Sequence, residues 1–188
     1  LGSFVSEVGN QMQVVAIAWQ VYELTRNPAS LGLIGVANFL PIILFSLIGG
    51  LIADKVDRKK LLIVSQAAQA VLALTLFSLS YLNLISPWII YLILVFIATA
   101  QSFSIPARQA ILPNLVPSKY FMNAISLATM QFQSANLIGP AIAGFLIAGA
   151  GVTAIYFINA VSFLVFIGAI LTLNVSLQKY ESKDLKLN

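Results

Sequence analysis

The chain has 188 residues, 60% hydrophobic and only 9% charged, with a formal net charge of +4. Soluble domains average about 45–50% apolar and about 25% charged, so the composition excludes an ordinary soluble domain. Cysteine and histidine are absent, which excludes disulfides, thiolate metal sites and histidine-based catalysis.

The first apolar run covers about residues 4–22 and carries one charge, Glu7. The chain opens inside this run and without Met, so the first helix is expected to be trimmed. A basic leader and a small-residue cleavage site are missing, which argues against a signal peptide. Ser3, Ser6, Glu7, Asn10, Gln11, Gln13 and Gln20 occupy about half of the helical circumference, so this element cannot face lipid broadly. Glu7 has two readings. It is an intramembrane carboxylate serving proton coupling or a cationic substrate, or it is a hydrated group at the cytoplasmic boundary. Asn10 and Gln11 join it as candidates for a substrate path.

The second run, residues 30–53, carries no charge and holds Asn38 and Pro41 near its middle. It leads into "GGLIADKVDRKK" (49–60), which packs six charged residues into twelve positions. The next runs are 61–82 and 88–104, followed by an expected connector at 105–119 that includes Arg108. The fifth run, 120–148, aligns Asn123, Ser126, Thr129, Gln133, Asn136 and Pro140 on one face at about 100° per residue. A stripe of amides is costly against lipid, so it must face protein or water, either as interhelical hydrogen bonds or as a cavity wall. Ala135, Gly139 and Ala143 form a small-residue ladder on another face, suited to close helix approach. A connector at 149–152 precedes the sixth run, 153–175, where Asn159 and Ser162 read as helix-packing contacts. Trp19, Tyr22, Tyr81 and Trp88 lie near run ends, as interfacial anchors do.

A spanning helix needs about 20 mostly apolar residues. In lipid each backbone amide must be paired within its segment, and these runs lack the alternation of a membrane barrel. The expected fold is an all-α membrane protein: a six-helix transmembrane bundle over residues 1–175 and a polar tail or linker over 176–188. With six spans, Lys55, Arg58, Lys59, Lys60, Arg108, Lys119, Lys179, Lys183 and Lys186 share one side, and Arg26 is alone on the other. Short cytoplasmic loops collect Lys and Arg, so the basic side and both termini are expected in the cytoplasm. This placement, and not nucleic-acid binding, accounts for the positive charge.

"GGLIADKVDRKKLL" resembles the signature loop between the second and third helices of major facilitator superfamily transporters. Gly50, Asp54, Lys55, Arg58 and Lys59 fit that pattern, and Asp57 stands where most members have glycine. The acidic variant, with "VYELTRNPASLGLIGVANFLP", "IPARQAILPNLVP" and "IYFINAVSFL", is similar to the branch of enterobactin exporters and macrolide efflux pumps. The resemblance covers the chain as one half of such a transporter, built from two inverted three-helix repeats. It implies that the loop latches two halves together on the cytoplasmic side. Asp54 would accept from a helix terminus of the second half, and Arg58 would pair with an acidic neighbour. "GPAIAG" (139–144) resembles the fifth-helix Gly-Pro motif of antiporters, with Ala135 and Ala143 replacing usual glycines. Pro41, Pro140 and Gly144 are thereby hinge or packing candidates. One departure stands out: many proton-driven drug antiporters carry an arginine within the fourth helix, and 88–104 holds none.

The resemblance implies a secondary transporter in a bacterial inner membrane, exporting amphipathic small molecules, drugs or siderophores by alternating access. It needs no cofactor. Its partners are the bilayer, a small-molecule substrate and a second six-helix half, from the same gene product or a second copy. An enzyme is disfavoured: no histidine base is present, and Glu7 has no companion metal ligands within the spans. A non-transporting structural or assembly domain is the alternative, because six helices make half of the expected cavity.

Overall fold

The computed structural model describes residues 2–172; the side chains of residues 46–55, 112–115 and 118, and the whole of 173–188, lie outside the description. The tail expected at 176–188 falls there. Gly50, Asp54 and Lys55 of the latch fall among the undescribed side chains.

Helix α1 (Gly2–Thr25) buries Ser6, Gly9, Met12, Gln13, Ala16, Ile17, Gln20 and Val21, a stripe that is mostly small or polar. Arg26 leaves the helix in the left-handed region (φ 50°), and Asn27 Oδ1 accepts from the Ala29 amide at 3.0 Å to open the next helix. Helix α2 (Ala29–Lys55) holds Pro41 in its interior and packs chiefly against α4. Helix α3 (Arg58–Tyr81) begins on Asp57, whose carboxylate accepts from the amides of Lys59 at 2.9 Å and Lys60 at 3.3 Å. Two orphan donors of the first turn are thus satisfied. Helix α4 (Pro87–Leu115) starts on Ser86, which accepts from the Ile89 amide, with Pro87 in the first turn where its missing N–H costs nothing.

The connector expected at 105–119 is mostly helix. Helix α4 continues to Leu115, and a short 3₁₀ turn (Ser118–Tyr120) leads into α5. Burial explains the difference. Ala107 and Ile111 pack with Leu62, Phe166 and Ile170, and Arg108 finds an acidic partner inside the bundle. A charge with a buried partner does not end a span.

The expected fifth and sixth runs form one element, α5 (Phe121–Thr172), broken at Gly151, where φ is 79° and ψ is 170°. Its arms, 121–150 and 152–172, run in opposite directions along α1. In the first arm Gln131 meets Ser3 and Gly139 meets Val8 and Gln11, so numbers rise together. In the second arm Tyr156 meets Gln20, Asn159 meets Gln13 and Ala169 meets Gly2, so they run oppositely. The break lies in the connector expected at 149–152. Gly151 occupies a region open essentially to glycine alone, while no atom outside its immediate chain neighbours and the adjoining helix backbone lies within 4 Å of an added Cβ. Gly151→Ala is therefore expected to cost about 1–3 kcal/mol through backbone strain alone. Thermal unfolding of the detergent-solubilised protein checks this, and an unchanged midpoint would show that the reversal tolerates an L-residue.

Among the described residues, three helices are long and apolar enough to cross a membrane: α3, Pro87–Ile111 of α4, and α5; Ala29–Phe45 forms a shorter apolar helix. The main apolar core, with Met12, Ile17, Leu76, Ile90, Leu94 and Tyr156, sits toward the end of the bundle marked by Gly151. Outward faces remain apolar, with Phe39, Ile43, Leu137 and Phe145 all well exposed. Such surfaces suit a bilayer, which is as apolar as they are. Trp19, Tyr22, Tyr81 and Trp88 are also exposed. The described residues are all-helical, and the chain is a multi-pass membrane protein.

Candidate functional site

Polar side chains scattered through the apolar runs converge on one place. A cavity of about 760 Å³ opens between α1, α3, α4 and both arms of α5, with Ile34 and Asn38 of α2 at its edge. Val14, Ile17, Leu94, Ile97, Phe132 and Phe166 supply apolar wall. Helix α1 contributes Ser3, Glu7, Asn10, Gln11 and Gln13, α3 contributes Lys59, Gln66 and Gln69, and α4 contributes Gln101, Ser104 and Arg108.

Glu7 and Arg108 form the electrostatic centre of this cavity. Arg108 Nη1 donates to Glu7 Oε2 at 2.9 Å, across 101 residues of sequence, and the Glu7 side chain is only 15% exposed. An isolated charge in this setting would be strongly disfavoured, whereas a hydrogen-bonded pair offsets the desolvation of both groups. The Arg108 guanidinium carbon also lies 5.1 Å from the centre of the Phe166 ring, a cation–π contact that holds the arginine from its other side. Glu7 lines this cavity, and one expectation changes. Arg108 belongs to the fourth helix and not to a loop, so the fourth helix does carry an arginine.

Buried hydrogen bonds fix the neighbouring amides. Asn159 Nδ2 donates to Gln13 Oε1 at 2.7 Å, and Ser162 Oγ donates to Asn159 Oδ1 at 3.0 Å. Gln66 Nε2 donates to Ser104 Oγ at 3.1 Å, tying α3 to α4. Toward the Gly151 end, Tyr156 donates to Gln20 Oε1, Gln20 Nε2 donates to Ser80 Oγ, and Ser80 contacts Thr153 Oγ1, at 2.7, 2.9 and 2.9 Å. This chain joins α1, α3 and the second arm of α5. Asn159 and Ser162 make the helix-packing contacts expected of them.

The structure brings Glu7, Asn10 and Gln11 to the cavity. It places the fifth-run stripe elsewhere. Asn123, Ser126, Thr129, Gln133 and Pro140 are exposed, and Asn136 is half-buried with a 3.4 Å bond to Gln133. That arm turns Ala128, Gln131 and Phe132 to the cavity instead. Ala135, Gly139 and Ala143 are buried, with Gly139 against α1, while Gly144 is open. Gln66, Gln69, Gln101 and Ser104 escaped sequence reasoning. Their signal was polar pairs spaced by three within charge-free runs, which is the helical repeat of one face.

At the signature loop, Asp57 has a role of its own as the cap of α3. Arg58 Nη1 donates to the Ala110 carbonyl at 2.9 Å and so fastens the start of α3 to the end of α4. Lys59 lines the nearby rim of the cavity.

The profile of the family described as transmembrane secretion effector matches residues 1–186. An MFS-type transporter of Bacillus subtilis, YfiS, is 28% identical over 89% of this chain and 39% of its own length. The staphyloferrin A transporter of Staphylococcus aureus is 33% identical over 78% of this chain and 37% of its own. Macrolide efflux protein A of Streptococcus pyogenes is 25% identical over 90% and 40%. The chain thus spans about two fifths of the length of these relatives. A polar cavity with a central ion pair in an all-helical membrane bundle, together with a match over nearly every residue, leads to one conclusion: the chain belongs to the transmembrane secretion effector family of major facilitator transporters, in the branch of enterobactin exporters and macrolide efflux proteins.

Proposed function

We propose that this chain is the N-terminal six-helix half of a secondary transporter that exports amphipathic small molecules, drugs or siderophores by alternating access. Residues 1–175 form the transmembrane bundle, and 176–188 lead away from it as a cytoplasmic linker. Helices α1 to α3 form one triplet, and α4 with the two arms of α5 forms its inverted counterpart. Both termini and the basic loops face the cytoplasm of a bacterial inner membrane.

The observation that carries this reading is the cavity. Close-packed interiors leave few voids larger than a water molecule, so a partly open cavity of about 760 Å³ lined by amides and an ion pair supports a solute path. The outward stripe from Asn123 to Pro140 supports a second half, because exposed amides are disfavoured against lipid and a partner bundle would cover them. The second half comes from the same gene product or from a second copy. Arg108 in the fourth helix, bonded to Glu7, supports proton coupling through this pair. Gly50, Asp54, Lys55, Asp57, Arg58 and Lys59 serve as the cytoplasmic latch.

The test is solute flux in liposomes made with the full-length gene product, with and without a pH gradient. Gradient-dependent flux is expected. Arg58→Gln loses a charge-assisted bond worth about 1.5–3 kcal/mol and is expected to slow flux about tenfold or more. Wild-type flux in the Arg58→Gln and Asp54→Asn variants would remove the latch, and absence of flux for every solute tried would remove the transporter reading.

A further inference from the structure

We infer that a groove on the outer side of α1 seats one acyl tail of a membrane phospholipid. The inference goes beyond the transporter reading and rests on membership of a membrane-spanning family.

The groove holds about 420 Å³, within the range of about 300–1,000 Å³ that discrete ligands occupy. Val5, Val8 and Met12 of α1, Ile138 and Ile142 of the first arm of α5, and Val161 of the second arm supply its walls. Among the described residues, Ser162 is its one polar side chain, and that hydroxyl already donates to the Asn159 carbonyl at 2.8 Å. A polar solute would lose its water here and gain no hydrogen bond in exchange. Helix α1 separates this groove from the central cavity. Its Glu7, Asn10 and Gln11 line the cavity, whereas its Val5, Val8 and Met12 line the groove.

Three observations point to the bilayer as the source of the occupant. The first is depth. Exposed Trp19 and Tyr22 suit a membrane interface. At about 1.5 Å per residue, Met12 lies about 10 Å and Val5 about 21 Å from the level of Trp19. The hydrocarbon core is about 30 Å thick, so this stretch lies inside it. The second is continuity with the outward apolar surface. Val5, Ile142 and Val161 are exposed at the groove, and the same surface continues onto exposed Phe157 and Leu164. The third is the amide stripe of the first arm. Ile138 and Ile142 stand two residues beyond Asn136 and Pro140, about 200° round the helix. The face that is costly to leave in lipid is thus opposite the groove, and a partner bundle covering the stripe leaves the groove open. An acyl tail is flexible and apolar, and a concave wall of three helices gives it more contacts than a convex helix face.

A phosphatidylcholine with a photoreactive diazirine in one tail tests this, with the full-length protein in nanodiscs and labelled residues mapped by peptide mass spectrometry. Lipid that only surrounds the protein labels residues by exposure, which favours Val71 (62%) and Leu164 (55%) over Ile142 (38%) and Val161 (41%). A seated tail reverses that order, and Ile142 and Val161 are expected to carry about threefold or more the label of Val71 and Leu164. Val161→Trp fills the groove and is expected to lower labelling of Ile142 about threefold or more, while Val71→Trp, outside it, leaves Ile142 unchanged. The wild-type pattern is decisive by itself if Val161→Trp does not fold. Labelling that follows exposure means surrounding lipid alone, and it overturns the proposal. So does a groove free of label, which means that a second copy or the second half covers it. Undiminished labelling of Ile142 in folded Val161→Trp places the tail elsewhere and overturns it too. Flux is measured separately, so failure of the tail seat leaves the transporter reading intact, and a labelled groove without flux defeats that reading alone.

Discussion

Glu7→Gln in the full-length protein is expected to lower pH-gradient-driven export at least about tenfold, while solute exchange without a gradient stays within about threefold of wild type. The glutamine keeps an oxygen in place of Oε2, so Arg108 Nη1 retains an acceptor and the fold persists. What is lost is the group that can take up and release a proton. Stability should fall by only about 1–2 kcal/mol, less than the loss for a fully buried pair, because the Arg108 side chain is 37% exposed and shielded by solvent. Arg108→Gln is the more damaging exchange, since it strands Glu7, the more enclosed partner. Parallel measurement of gradient-driven export and gradient-free counterflow separates the outcomes. Equal loss in both would make the pair a binding element, and loss in neither would move coupling to another part of the protein.

Gly139→Leu is expected to destabilise the bundle by about 1–3 kcal/mol or more, and Gly144→Leu by less than about 0.5 kcal/mol. Both glycines belong to the same "GPAIAG" stretch, but only Gly139 lies in the small-residue ladder suited to close helix approach. An added Cβ at Gly139 would lie 2.5 Å from Gln11 Cβ and 3.2 Å from the Val8 carbonyl oxygen, and neither is the free end of a side chain. The α1 backbone would have to move away, carrying Glu7, Asn10 and Gln11 with it. At Gly144 no atom outside its immediate chain neighbours and its own helix turn lies within 4 Å. Thermal unfolding in detergent gives the comparison directly. Similar midpoints for the two variants would mean that the contact between α1 and the first arm of α5 is dispensable.

Much of the architecture was readable from residues alone. Charge-free runs of spanning length give membrane helices because lipid leaves the backbone no other partner. Asp57 stands out in the sequence only as part of the signature loop; its role as a cap on amides two and three residues away comes from the structure. The connector expected at 149–152, between two runs of spanning length, contains the break at Gly151. The end of the fourth helix was not legible. A hydropathy reading stops at Arg108, and what lets the helix continue is a carboxylate 101 residues away.

The sequence by itself determined that this protein is a bundle of apolar helices with a charged loop between the second and third of them, because hydropathy and turn chemistry act within a few residues. Only the tertiary structure decided which polar residues meet. It turned Gln131 toward the cavity and Gln133 away from it, paired Glu7 with Arg108, and gathered Gln13, Gln66 and Ser104 around one space. The reason is geometric: a helix fixes the angle between its own side chains, but its rotation about its axis is set by the small and polar contacts it makes with its neighbours.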